Sequence, residues 1–309
     1  MMPILIRRSN LLVAVTDTRA VEDSWQRQAD AITLDLSAGV ADGRKNEARG
    51  LIGEAVRQAA QGGAEVFVKV NRATTQADID AAVHQGLTGI MLPGVESAGE
   101  ITAASGFLAA AEGSQGIAAG SLQIIAMLES ASGVWNIREI ISADARVTQA
   151  GLDESVLSAN MGITPSPEFD PYVYARGRIA IEATALEVQP VGVAHPLGTR
   201  PRPLGADEML KLAAESMNLG FKGVICLHPS WIEPVNTAFT PTQAQVDYYA
   251  QVRDVFAQAI AAGTAAVPFA GRMIDVPVDE WAKVVLAMSA ACDARNRVKE
   301  EAVSKAASN

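Results

Sequence analysis

The chain has 309 residues, is 49% hydrophobic and carries a formal net charge of -10. That balance supplies one large globular core and argues against nucleic acid or an anionic membrane surface as the main partner. No run approaches the ~18 uncharged apolar residues of a membrane span. Cys226 and Cys292 cannot build a disulfide framework, which suits a reducing compartment, the cytoplasm.

The opening MMPILIRRSNLLVAV holds a short apolar run broken by Arg7 and Arg8 and reads as a first strand, not a signal peptide. Strands are predicted at Leu11–Val15, Ala31–Leu36, Glu65–Val70, Gly89–Leu92, Leu122–Leu128, Arg146–Leu152, Gln189–Ala194 and Gly223–Leu227. Each is apolar through its length, as strands covered on both faces must be. Between them the spacing predicts amphipathic helices, among them Lys45–Gln61, Ala77–Gln85, Ala98–Glu112 and Ala206–Leu219. Gly and Pro punctuate the joins.

A run of about eight βα units predicts an α/β fold with a parallel sheet, and the count favours a (β/α)8 TIM barrel over residues 1–235. No GxGxxG or P-loop pattern supports a doubly wound alternative. The segment Gly162–Tyr174, with Pro165, Pro167 and Pro171, is expected to be a long functional loop, and His195–Leu204 a second. Beyond the last strand, long helices at Gln243–Ala262 and Val278–Lys305 flank Val267–Pro277. They read as a C-terminal helical extension over 236–309, a lid or an oligomer contact.

Chemistry in such a barrel sits at the C-terminal ends of its strands. The first polar residues there are Asp35, Lys69, Asn71, Arg72, Glu96, Glu129, Asp153, Glu154, His195 and His228. Carboxylates grouped with Lys and Arg suit an oxygen-ligated divalent metal and an anionic substrate. Glu129 closes a strongly apolar strand, where an unpaired carboxylate is costly, so it reads as a metal ligand in preference to a structural acid. Asp153 and Glu154 are candidate metal partners, against the common case of solvated loop carboxylates. Lys69 reads either as a ligand-binding cation or as the partner of Asp35. His195, beside Arg200 and Arg202, is a candidate anion contact, whereas His228-Pro229 reads as a turn feature.

Several stretches carry a family pattern in order. DAITLDLSAGVADGRKNEAR at Asp30–Arg49 matches a strand ending DLED-G/A-V. VFVKVNR at Val66–Arg72 matches V-R-V-N, LPGVESA at Leu92–Ala98 matches LPKVES, and MLESASGVWN at Met127–Asn136 matches IET-A-x-G-V-x-N. GFKGVICLHPSWIEPVNTAFTPT at Gly220–Thr242 and GRMIDVPV at Gly271–Val278 complete the set. By these motifs the chain resembles the HpcH/HpaI aldolase and citrate lyase β-subunit family, which includes malyl-CoA lyase.

The resemblance implies a carbon–carbon lyase with Mg²⁺ or Mn²⁺ held by Glu129, acting on a 2-oxo acid-derived 3-hydroxyacyl-CoA thioester. It implies that Lys69, Arg72, Glu96 and His195 bind substrate, with Asp35 and Lys69 also in the catalytic group. It further implies that Asp275 moves a proton from an adjacent subunit of a homo-oligomer, a trimer or hexamer. The family's Arg is here Lys69, its second acidic group Ser37-Ala38 and the Lys of LPKVES Gly94. A gapless count from Arg146 puts Val156 where the second metal-binding Asp is expected. Two other readings follow from these changes: a ligand- or partner-binding member without lyase chemistry, and a thioester hydrolase.

Overall fold

The computed structural model describes residues 4–166, 168–193 and 204–308. It divides into two compact units, Arg7–Phe239 with Lys299–Asn309, and Met1–Ile6 with Thr240–Val298. The larger unit contains strands β1 (Ser9–Ala14), β2 (Ala31–Asp35), β3 (Glu65–Lys69), β4 (Leu87–Leu92), β5 (Gln123–Leu128), β6 (Val147–Leu152), β7 (Gln189–Val191) and β8 (Val224–Cys226). They form one parallel sheet in the order β7-β6-β5-β4-β3-β2-β1-β8.

The sheet closes between its end strands. A parallel bridge joins Val191 to Gly223. Gly192 N–H donates to the Gly223 carbonyl at 3.0 Å, and Lys222 N–H to that of Pro190 at 2.9 Å. Closure leaves no open edge for another chain to pair with. All eight predicted strands and the (β/α)8 barrel are present. The last predicted residue of the seventh strand, Ala194, lies outside the described residues.

Helices α1 (Thr18–Ser24), α2 (Lys45–Ala60), α3 (Thr75–Ala82), α4 (Ala98–Gln115), α5 (Ala131–Trp135) and α6 (Ile137–Ser142) follow the first five strands. Helices α7 (Glu154–Met161), α8 (Val173–Ala185), α9 (Ala206–Leu219) and α10 (Ile232–Ala238) follow the rest. In α2 the buried residues are Ala48, Ile52, Ala55, Val56 and Ala59, a helical stripe facing the sheet. Each Ile or Val so buried contributes roughly 1.5–3 kcal/mol. Helix α4 starts on a reciprocal cap: Ser97 and Glu100 each take the other's backbone N–H.

Strand parity divides the core. Ile32, Leu34, Val66, Val68, Ile90 and Ala126 pack outward under the helices. Ala31, Phe67, Met91, Ile125 and Met127 form a separate cluster inside the barrel, joined by Ile225. At the N-terminal ends of the strands the interior turns polar. Arg7, 1% exposed, donates to Glu65, to Thr148 at 3.0 Å and to Gln123 at 2.5 Å. Asp30 accepts from Arg8 at 2.7 Å and from Lys299 at 2.7 Å, and these two cations hold its carboxyl below the usual carboxylate range against burial.

The smaller unit contains α11 (Gln243–Ala261), strands β9 (Ala266–Phe269) and β10 (Arg272–Asp275), and most of α12 (Val276–Ala307). Its core is Val252, Phe256, Ile274 and Ala282. The antiparallel hairpin went unrecognised in the sequence. Its two-residue turn, Ala270-Gly271, has φ of 48° and 76°, both left-handed, as tight hairpins require. An Ala in that position hides the usual turn signature. No helix among the described residues is long and apolar enough to cross a membrane.

Candidate active site

At the C-terminal mouth of the barrel, inward-facing positions give two different walls. Lys69 ends β3, and Glu129 and Asp153 stand just beyond β5 and β6. Leu12, Val191, Ile225 and Leu227 come from β1, β7, β8 and the residue after β8, and line a cavity of about 130 Å³ together with Lys69, Met127 and Asp153. One side is ionic and the other is hydrocarbon.

Glu129 is half-buried. Burial pushes its carboxyl above the usual range; Lys69 opposes this, the Asp153 carboxylate adds to it, and Arg72 and the Gly94 N–H lower it again. Lys69 is 8% exposed, and no hydrogen bond or ion pair joins its ammonium to a described residue. Asp35, its neighbour in register on β2, is not its partner. The Asp35 carboxylate accepts from Ser37 N–H at 2.6 Å and from Gly39 N–H at 2.8 Å, so both oxygens hold the loop after β2. The structure therefore gives Asp35 a loop-holding contact and leaves Lys69 facing the cavity.

Asp153 directly follows β6 and caps α7. One carboxylate oxygen, Oδ1, accepts from Ser155 N–H at 3.1 Å and Val156 N–H at 3.2 Å, which leaves Oδ2 for another ligand. Val156, where the gapless count falls, is 44% exposed on α7, whereas Asp153 stands at the strand end. Glu154 lines the same cavity. Its carboxylate meets Arg176 at 2.5 Å, and Arg176 also holds Asp170 at 2.5 Å. Burial pushes Glu154 up to about 7, Arg176 opposing and the Asp170 and Asp153 carboxylates adding. This ion pair engages the Glu154 carboxylate at the cavity and ties the Pro-rich loop between α7 and α8 to the mouth.

Arg72 lies in a short 3-10 turn after β3 and is held by Glu100 at 2.6 Å and Glu96 at 3.4 Å. Glu96 is kept below its usual range first by a Ser130 hydrogen bond and then by Arg72. Gly94 has φ of 62°, and a Cβ there would lie 3.3 Å from Glu129 Oε2 and 3.6 Å from Arg72 Nη1. The bare glycine thus lets the Arg72 guanidinium approach the carboxylate. Asp78 was missed in the sequence. Completely buried, it accepts from Asn71 N–H at 2.7 Å and from Arg49 at 2.6 Å, fixing the turn after Lys69.

His228 accepts from Ser230 N–H at 3.2 Å, the turn role expected of it. His195 lies outside the described residues. Asp275 belongs to the smaller unit, where Oδ1 caps α12 by accepting from Val278 N–H at 3.3 Å. Among the described residues no group of three or more His, Cys, Asp or Glu could hold a metal. Glu129 with the free oxygen of Asp153 is a two-carboxylate, hard-oxygen donor set, which fits Mg²⁺ with waters and substrate completing its shell.

Residues 8–229 match the HpcH/HpaI aldolase/citrate lyase family. The chain belongs to that family. By family, its enzyme class is carbon–carbon lyase. The citrate lyase subunit β of Haemophilus influenzae is 28% identical over 284 residues, 91% of this chain and 96% of that protein. The L-malyl-CoA/β-methylmalyl-CoA lyase of Rhodobacter capsulatus is 26% identical, covering 92% of this chain and 95% of its own length. The barrel also resembles protein CitE from Mycobacterium tuberculosis, in complex with magnesium, acetoacetate and coenzyme A. The TM-score is 0.69 at 23% identity, over 92% of this chain and 98% of that one.

Proposed function

We propose that this member of the HpcH/HpaI family is a divalent-metal-dependent lyase that releases a 2-oxo acid from a 3-hydroxyacyl-CoA thioester. The observation that carries the reading is Lys69, a buried residue whose ammonium makes no hydrogen bond or ion pair with a described residue and acts on the carboxyl of Glu129, which Asp153 also faces. A buried charge is costly unless it is paired, so the site calls for an anion at Lys69 and a cation at the two acids.

Glu129 and the free oxygen of Asp153 would hold the Mg²⁺, in keeping with the magnesium in the CitE complex. Bound there, the ion supplies Lewis-acid polarisation of the oxygen that becomes the 2-oxo carbonyl. Lys69 binds the acid's carboxylate and turns the bond to be cleaved toward the open end. The hydroxyl gives its proton to the Asp275 carboxylate of a second copy, its oxygen forms the carbonyl, and the carbon–carbon electron pair passes to the thioester side. A proton must then reach that carbon. Asp275 of a second copy in a homo-oligomer is the group proposed to deliver it, since only one of its oxygens caps α12.

Testing needs two measurements. Mg²⁺ titration followed calorimetrically should show binding that Glu129→Gln abolishes. Incubation with malyl-CoA, citramalyl-CoA and free 4-hydroxy-2-oxo acids should release a 2-oxo acid from at least one thioester. Hydrolysis of the thioester without 2-oxo acid release would replace the lyase by a hydrolase. Absence of metal binding at millimolar Mg²⁺ would sink the proposal.

A further inference from the structure

We propose that the mouth admits a 2-oxo acid of about pyruvate's size with an apolar third carbon, and that Met127 sets this limit. The inference deepens the functional proposal and rests on it. The cavity of about 130 Å³ is close to the ~150 Å³ apolar cavity known to hold benzene. Pyruvate has as many non-hydrogen atoms as benzene, and oxaloacetate half as many again.

The walls say which end of the acid goes where. In the closed strand order, β3 stands opposite β7. An acid whose carboxylate meets Lys69 therefore projects its third carbon across the barrel, toward Val191, Ile225 and Met127. Met127 limits the depth on that side. A Cβ at Gly151 would lie 3.0 Å from the Met127 Sδ and 2.9 Å from Val191 Cγ2. The thioether thus lies across a strand residue with no side chain, against Val191, and closes the interior beneath the cavity. A second carboxylate on the third carbon would meet hydrocarbon there, with no cation among the described lining residues apart from Lys69, already engaged. Burying a carboxylate without a partner is strongly unfavourable, whereas a methyl group gains contact.

The experiment is calorimetric titration of the intact protein, in saturating Mg²⁺, with pyruvate, oxaloacetate and 2-oxopentanoate. The wild type should bind pyruvate about tenfold or more tightly than either of the others, the discrimination a hydrophobic pocket gives against misfit groups. Met127→Ala should move the preference toward 2-oxopentanoate by about tenfold, and Met127→Leu, which conserves volume, should keep the wild-type order. Should Met127→Ala fail to fold, Ile225→Ala on the same wall should shift the preference in the same sense. Oxaloacetate binding the wild type as tightly as pyruvate would overturn the inference while leaving the lyase proposal standing. So would an unchanged order in a folded Met127→Ala protein. No binding of any of the three acids with Mg²⁺ present would bring down both.

Discussion

Replacing Lys69 by Met should separate binding from folding. Lys69 is 8% exposed and makes no hydrogen bond or ion pair with a described residue, so its removal breaks no direct contact and acts only on the nearby Glu129 carboxyl. A charge-assisted hydrogen bond to a ligand carboxylate contributes about 1.5–3 kcal/mol, and 1.4 kcal/mol is about tenfold in affinity. Lys69→Met should therefore weaken 2-oxo acid binding about 10- to 150-fold. The unliganded protein should keep its melting temperature or gain a few degrees, because a buried charge that no described residue hydrogen-bonds has been removed. A second consequence concerns Glu129, whose carboxyl is held down chiefly by Lys69 against burial. Without that cation it moves further up, and since the metal binds the carboxylate form, the pH at which Mg²⁺ binding is half-complete should rise. Calorimetry across pH, with thermal melts beside it, reads all three effects. Affinity falling less than about threefold, or a melting temperature several degrees lower, would refute the argument, the latter by exposing a structural role for the ammonium.

Other predictions concern neighbouring positions. Asp153→Asn should keep the α7 cap, which Asn makes as well as Asp, yet weaken Mg²⁺ binding about tenfold or more, as a titration would show. Val156→Asp should leave Mg²⁺ affinity unchanged, because that side chain is 44% exposed on α7. Glu112, 1% exposed, is held at about 2 by Arg146 and by the N–H groups of Leu122 and Gly120. The depression from 4.5 corresponds to about 3 kcal/mol of stability. Because that folded value is lowered, the contribution is complete above pH 4.5 and is lost as pH falls through about 2. Glu112→Gln should cost about that much in urea unfolding at pH 7, with the difference shrinking toward pH 2. Gly94→Ala should destabilise by about 1–2 kcal/mol through its left-handed backbone, and its Cβ, 3.3 Å from Glu129 Oε2, should press on that carboxylate; a melt and an Mg²⁺ titration would check the two effects.

The barrel was legible because burial on both faces leaves each strand an uninterrupted apolar run. Lys69 and Glu129 stood out for the same reason: a charge closing such a run has no solvation to explain it. Asp78 did not stand out, since an Asp within a helix looks like a solvated surface residue; its burial depends on Asn71 and Arg49 converging from separate elements. The ion pair of Glu154 was not legible because its partner Arg176 lies 22 residues on, across a loop whose path no local pattern dictates. The place of Asp153 at the rim follows from where β6 ends, which a gapless count does not locate. The Ala270-Gly271 turn was hidden because alanine seldom adopts a left-handed backbone.

Lys299 and Asp30 are separated by 269 positions, and this affects the order in which the molecule can be completed. On the ribosome, β1 and Asp30 emerge early, and Arg8 is the first cation Asp30 meets. The second follows only 269 positions later. Until then the carbonyl of Gln28, which accepts from Asn236 Nδ2 at 3.1 Å and from Lys299 at 2.7 Å, lacks one of these two donors, and Asp30 lacks its second cation. Closing so long a loop carries an entropic cost that grows with the logarithm of its length, and such non-local contacts slow folding. A nascent chain stalled before Lys299 should therefore be more open to proteases around Gln28–Asp30 than the released protein.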